Sequence, residues 1–330
     1  MSQPPCELSV CICTHNPRRE YLTRVLAALA AQTLDPETWE LLLVDNHSGE
    51  PVATWVDLSA FSHARIVSEA DLGLTNARIK GVRESSGRTM VFVDDDNVLA
   101  LDYLEQARRI MAEKPFLGAI GGKCRGEFES PPPPWSWFYF PYLAVTDHGD
   151  HALYIYHRNT YLQWYPIGAG LVIRRPFAEA YIDQILGDPE RRKLDRRGRS
   201  LSSAGDIDMV LTVMDGGSAI GFFPELGLTH LIPRERLALS YLRRMIYHAN
   251  YSLHQLMLAR KIQYRPRRWP LSYVTSLILC LMHGHWHPFT LWLACYAARG
   301  RYAAYRDYRH DRNGAKKPDR EAGVEEKSTV

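Results

Sequence analysis

Apolar residues fall along the first third of this chain in short unbroken runs, with helix-spaced stretches between them. LSVCIC (8–13), LLLV (41–44), ARIV (64–67) and TMVFV (89–93) each read as a buried strand. After the first run comes THNP, where Asn16-Pro17 predicts a helix start with proline at its first position. Leu22, Val25, Leu26 and Leu29 then recur at helical spacing, and TNARIKGVRES (75–85) predicts a second helix. Continuous rather than alternating apolar strands, separated by helices, imply a mostly parallel sheet covered on both faces. Ligands of such sheets bind at the carboxyl ends of the strands, where Thr14, Asp45 and Asp94 fall.

The pattern then changes. PPPPWSWFYFPYL (131–143) predicts a proline-stiffened aromatic loop or lid, and ERRKLDRRGRS (190–200) a mobile basic loop. IGAGLVIRR (167–175) reads as strand, PFAEAYIDQIL (176–186) and DIDMVLTVM (206–214) as helices, and AIGFF and GLTHLI as further strands. A long helical pattern covers 235–262, an apolar region broken by HGHWHP covers 270–298, and a charged tail expected to be disordered begins near Asp311. These shifts divide the chain into residues 1–240, 241–310 and 311–330.

Composition narrows the class. Among 330 residues, 46% are hydrophobic and 23% charged, ordinary for a globular chain, and a net charge of +3 does not call for nucleic acid. The six cysteines show no zinc-site spacing, and MSQPPCELSV lacks the basic and apolar regions of an export signal. A reduced, cytoplasmic setting is therefore expected.

The chemistry concentrates in MVFVDDDNVL (90–99), three aspartates after a buried run. Side chains alternate along a strand, so Asp94 and Asp96 are expected to face one way and Asp95 the other. Two convergent carboxylates suit Mg²⁺ or Mn²⁺ shared with phosphate oxygens. A solvated acidic turn and a phosphatase nucleophile are the alternatives.

Taken in order, SVCICTHN, LLLVDNHSG, DLGLTNARIKGVRESSG, VFVDDDNVL, GAGLVIRR, GDIDM and THLIPRERL resemble the family 2 glycosyltransferases of the GT-A fold over residues 7–240. The resemblance implies a Rossmann-like α/β domain with a nucleotide-sugar half (1–125) and an acceptor half (126–240). It implies Thr14, Asn16 and Asp45 beside the nucleotide and Arg78 near the diphosphate or the donor pocket; Asp95 is expected to point away or to contact the donor sugar. Asp94 and Asp96 would hold a divalent cation, with His230 as a further ligand of the metal or of the diphosphate, and Asp206 would be the general base. The reaction implied is inverting transfer from a nucleoside-diphosphate sugar to a hydroxyl of a glycan or lipid-linked acceptor. One departure stands out: the family has Glu-Asp where this chain has Gly205-Asp206, which brings Asp208 in as a substitute base.

Other readings attach to the same residues. Asp45 as a cap of its turn, Arg78 as a solvated helix residue and His230 as a core histidine are the bland ones. Trp135, Trp137, Phe138, Tyr139 and Tyr142 offer faces for stacking on sugars or for packing. LSYVTSLILCLM (271–282) is too short to span a bilayer, but with 289–298, Trp269, Trp286, Arg267 and Arg268 it offers peripheral contact through 265–300 to the inner face of the cytoplasmic membrane. QYRPRRW (263–269) misses the spacing of the Q-x-x-R-W signature of processive synthases. A phosphohydrolase of the haloacid dehalogenase type, with Asp94 as nucleophile, and a degenerate glycan-binding module are the rivals. A dinucleotide dehydrogenase lacks its glycine fingerprint here.

Overall fold

The computed structural model describes residues 6–156, 164–198, 200–262, 274, 278, 282 and 287–314. The expectations placed on QYRPRRW, on most of 271–282 and on the tail past 314 lie outside those residues.

Strands β1 (Leu8–Thr14), β2 (Trp39–Asn46), β3 (Ala64–Glu69) and β4 (Thr89–Asp94) pair in parallel in the order β3-β2-β1-β4. Strand parity explains their unbroken apolar runs. Val10, Ile12, Leu41, Leu43, Val91 and Val93 point into one core layer, while Cys11, Leu42, Val44, Met90 and Phe92 point into the other. Helices α1 (Arg19–Ala30) and α3 (Tyr103–Glu113) cover the first face. Helices α2 (Leu74–Glu84), α4 (Arg175–Leu186) and α6 (Gly205–Asp215) cover the second. The sheet continues through β9 (Leu171–Arg174), β6 (Leu117–Gly121), β10 (Ala219–Phe222) and β8 (Leu153–Ile155). Because β9 runs antiparallel to both β4 and β6, the sheet is mixed, as the expected mostly parallel GT-A-like architecture allows.

Immediately after β4 the chain leaves this sheet. A tight turn at Asp95-Asp96 leads into β5 (Asn97–Leu99), which joins a small sheet in the order β5-β11-β7, with β11 at Leu228–Ile232 and β7 at Cys124–Phe128. Helix α7 (Leu239–Ala259) and helix α8 (Pro288–Gly314) pack on each other. Between them and the small sheet lies a third apolar cluster containing Tyr139, Leu143, Ile232, Ile246 and Leu293.

Four local expectations change. Helix α1 starts at Arg19 rather than Pro17, because Asn16 takes a left-handed φ of 51° and uses its side-chain oxygen to accept from the Gly49 N–H at 2.8 Å. The aromatic segment is a 3-10 helix, Pro134–Leu143, rather than a free lid: Tyr139 is buried and its hydroxyl donates to the Thr290 carbonyl. Trp137 alone of those five aromatics is largely exposed, at 57%. The basic loop is anchored through the short helix α5 (Pro189–Arg192), with Arg191 held by Asp208 and Arg192 donating to the Asn76 side-chain oxygen Oδ1 at 2.6 Å. The long helical pattern from 235 begins as a 3-10 turn, Arg234–Leu237, and becomes α-helix only at Leu239.

Candidate active site

Parallel strands β1, β2 and β4 deliver Thr14, Asp45 and Asp94 to one edge of the sheet, at the point where the strand order reverses. Asp94 follows Met90 and Phe92 in strand parity, so it lies on the face covered by α2 and α6. The charges of Arg78 and Asp96 both act on it. Burial and then Asp96 raise its carboxyl above the usual range, with Arg78 opposing.

The expected alternation stops there. Residues 95 and 96 form the turn, so Asp95 and Asp96 do not continue the strand pattern. Asn97, fully buried, closes the turn: its side-chain oxygen accepts from the Asp94 N–H at 3.3 Å, and its amide donates to Asp96 at 3.0 Å. Asp95 turns toward β1 and accepts from the Thr14 hydroxyl. Burial, together with Asp96 beside it, pushes Asp95 up to about 7. Asp96 turns toward the small sheet, where Leu231 N–H donates to its carbonyl at 2.8 Å and fixes β11 against it. Its carboxylate lies 3.3 Å from His230 Nε2 and 3.0 Å from Arg236 Nη2. Burial alone would raise Asp96, but His230 and Arg236 outweigh it and hold the carboxyl well below the usual range.

His230 is buried, with Nδ1 2.8 Å from the Leu143 carbonyl and Nε2 2.9 Å from Arg236 Nη1. With the Leu143 carbonyl as its acceptor, Nδ1 carries a proton, and Nε2 is the nitrogen turned toward Asp96 and Arg236. Among the described residues, no three acidic, imidazole or thiol groups form a preformed metal cage. The turn instead offers an open set: three crowded carboxylates whose mutual repulsion a cation would relieve. Mg²⁺ and Mn²⁺ are commonly held this way, by one or two carboxylates with phosphate oxygens completing the shell.

Asp45 is buried, and both its oxygens accept backbone N–H groups, from Ser48 at 3.1 Å and Val52 at 2.9 Å. It therefore shapes the loop after β2, and each oxygen keeps a second lone pair for a ligand. Its neighbour Asn46 ties the start of α2 to this edge, accepting from the Gly73 N–H at 2.7 Å. Arg78 is not a solvated helix residue. It is buried beneath Phe92, its guanidinium 5.8 Å from the ring centre, and forms an ion pair with Asp195 at 2.9 Å.

Asp206 occupies the first turn of α6, where its oxygens accept from Gly168 N–H and Ile207 N–H, both at 2.8 Å. Burial raises its carboxyl, and Arg78 opposes that rise. Asp208 is no substitute base: it is buried, with Arg191 at 2.9 Å and Arg260 at 2.5 Å both on its carboxylate. Sequence reading missed Asp195, Asn97 and Arg236, whose partners all lie far along the chain or in a turn that strand alternation does not describe.

A family model described as "Glycosyl transferase family 2" matches residues 9–177. No curated protein matches the chain. Among solved structures, S. aureus TarS 1-349 is similar, with a TM-score of 0.50, 14% identity and 92% of each chain covered. TarS 1-349 in complex with UDP-GlcNAc gives a TM-score of 0.52 at 13% identity, again with 92% of each chain covered. At such identities the likeness is one of fold.

Proposed function

Since the chain belongs to glycosyl transferase family 2, enzymes that use nucleotide-sugar donors, we propose that it performs metal-assisted, inverting transfer of a sugar to a hydroxyl of a glycan or lipid-linked acceptor. The observation that carries this reading is the turn at Asp94–Asp96: three part-buried or buried carboxylates at the switch point of the sheet. Family membership also removes the support for the phosphohydrolase reading, whose nucleophile would end a first strand rather than a fourth.

In this reading, Thr14, Asn16 and Asp45 flank the nucleotide at the ends of β1 and β2. Asp94 and Asp96 would hold Mg²⁺ or Mn²⁺ with His230 beside them, and Asp95 would face the donor sugar. A cation so held supplies positive charge against the charge that builds on a departing diphosphate. Arg78 contributes a fixed guanidinium between Asp94 and Asp206. Asp206 takes the proton from the attacking hydroxyl, and burial, which raises its affinity for protons, shifts it in the direction a general base needs. A single base acting on the attacking hydroxyl, opposite the departing diphosphate, implies in-line displacement. Residues 1–125 would bind the donor, 126–240 the acceptor, and 241–310 form a helical extension. No helix among the described residues is long and apolar enough to cross a membrane. The apolar positions Val274, Ile278 and Met282, exposed by 47%, 49% and 76%, support peripheral contact through 265–300. Because the TarS complex holds UDP-GlcNAc, that compound is the first donor to try. Proton NMR of the product should show the anomeric configuration inverted; a retained configuration would sink the mechanism.

A further inference from the structure

Glycine stands at 205, directly before the base, where the family resemblance leads one to expect glutamate. The fold shows what fills the space. A Cβ on residue 205 would lie 2.2 Å from Oδ2 of Asp195 and 2.7 Å from its Cγ. Gly205 is not among the residues with positive φ, so the requirement for glycine is one of volume rather than backbone conformation. A side chain at 205 and the carboxylate of Asp195 compete for one place.

Asp195 is built into that place. It is buried, and its Oδ2 accepts from Arg78 Nη1 at 2.9 Å and from Thr75 Oγ1 at 3.5 Å. Its Oδ1 accepts from the Arg196 N–H at 2.9 Å. Backbone bonds pin the segment on both sides: Ala204 N–H donates to Leu194 and Leu74 N–H to Arg196, both at 2.9 Å. Beyond the ion pair, Arg78 reaches the narrow gap at Gly168. A Cβ there would be 2.7 Å from Arg78 Nη2 and 3.4 Å from Asp206 Oδ2. The guanidinium thus stands between the Asp195 carboxylate and the base.

We propose that Asp195 is a positioning residue for Asp206: from the loop before α6 it supplies the carboxylate that a glutamate at 205 would otherwise bring, and it holds Arg78 off the base. The proposal rests on Asp206 being that base. A buried guanidinium that loses its partner turns to the nearest remaining carboxylate. Besides Asp195, the carboxylates acting on Arg78 are Asp206 and Asp94. Without Asp195, Arg78 would therefore pair with Asp206 and quench its basicity. Facing Asp206 are Arg78, Asp195 and the N–H groups of Gly168 and Ile207. Both the loss of the Asp195 charge and the approach of Arg78 lower the proton affinity of Asp206, so the acid limb of the pH–rate profile should move to lower pH.

The test moves the carboxylate from one element to the other. Asp195→Ala, Gly205→Glu and the double variant are compared with wild type in nucleotide-sugar turnover and in melting temperature. We expect Asp195→Ala to lower kcat roughly tenfold or more with a smaller change in donor KM. Gly205→Glu alone should be impaired by its clash with Asp195, and the double variant should recover both kcat and melting temperature. An Asp195→Ala enzyme with wild-type kcat overturns the proposal. A double variant that recovers its melting temperature but not kcat assigns Asp195 a structural role only and also overturns it. If Asp195→Ala does not fold, the double variant decides alone: folded and active supports the proposal, and anything else refutes it. A wild type that turns over no nucleotide sugar removes the base assignment and the positioning role with it. A recovered melting temperature in the double variant would then mark that failure as one of the proposed function, not of the carboxylate exchange.

Discussion

Two carboxylate sites in this molecule behave oppositely. Asp208, in α6, meets two guanidinium groups, Arg191 and Arg260, and its charge is fully answered. At the turn after β4, one guanidinium, Arg236, and one imidazole, His230, stand within ion-pair distance, both on Asp96, while Arg78 and Arg196 act on Asp94 from farther off. Asp94 and Asp95 consequently hold protons more tightly than carboxyls usually do, while Asp96 holds its proton less tightly. A balanced cluster serves the fold, whereas an unbalanced one stores electrostatic cost that a ligand can relieve. That difference separates two aspartate groups that composition cannot tell apart.

The comparison can be broken first at the base. Asp206→Asn keeps the size of the side chain and can still accept from Gly168, so the fold should persist while turnover falls about 10³-fold. Near-normal turnover in a steady-state assay would move the base elsewhere. Next comes the balanced cluster. Asp208→Ala takes the carboxylate from Arg191 and leaves Arg260 with Asp215 alone, and should cost about 3–5 kcal/mol in urea denaturation. A loss below 1 kcal/mol, to order of magnitude, would mean that Asp208 is not structural in the sense argued.

The smallest effect is the most specific to the unbalanced turn. Asp95 keeps its proton up to about 7 in the folded chain, against 3.8 as the ordinary value. Folding is therefore favoured by that proton at low pH, and the benefit is lost as pH rises through the folded value. Asp95→Asn mimics the protonated form. With a chelator present, it should raise the melting temperature by about 2–4 °C near pH 8 and leave it unchanged near pH 4. Equal effects at both pH values would show that Asp95 is not held at a cost.

Much of this was legible in the sequence. The four strands of the parallel half announce themselves as apolar runs because both faces of each are covered, and the acidic triplet marks the edge where they end. Helix α3 was missed although Tyr103, Leu104, Ala107, Ile110 and Met111 recur at helical spacing, whereas strands β5 to β8 are too short, at 3 to 5 residues, to show a period. The start of α1 was misread because a proline after asparagine is a good helix signal locally, yet Asn16 is claimed by Gly49 across the fold. Asp95 and Asp96 were misplaced because strand alternation ends where the chain turns. Asp195 could not be seen as a partner of Arg78, since 117 positions separate them. The departure at Gly205 was visible, but its reason is a volume that only the folded chain defines.

The most direct test of the central claim is a thermal-shift comparison of wild type and Asp96→Ala with nucleotide sugars, UDP-GlcNAc first, with and without Mn²⁺. A ligand that binds the native state must raise its melting temperature. Wild type should be stabilised by donor and Mn²⁺ together more than by either alone, and Asp96→Ala, with its fold intact, should lose that joint effect. No stabilisation of wild type by any nucleotide sugar, or an undiminished joint effect in Asp96→Ala, would contradict the assignment of the aspartate turn as the donor's metal site.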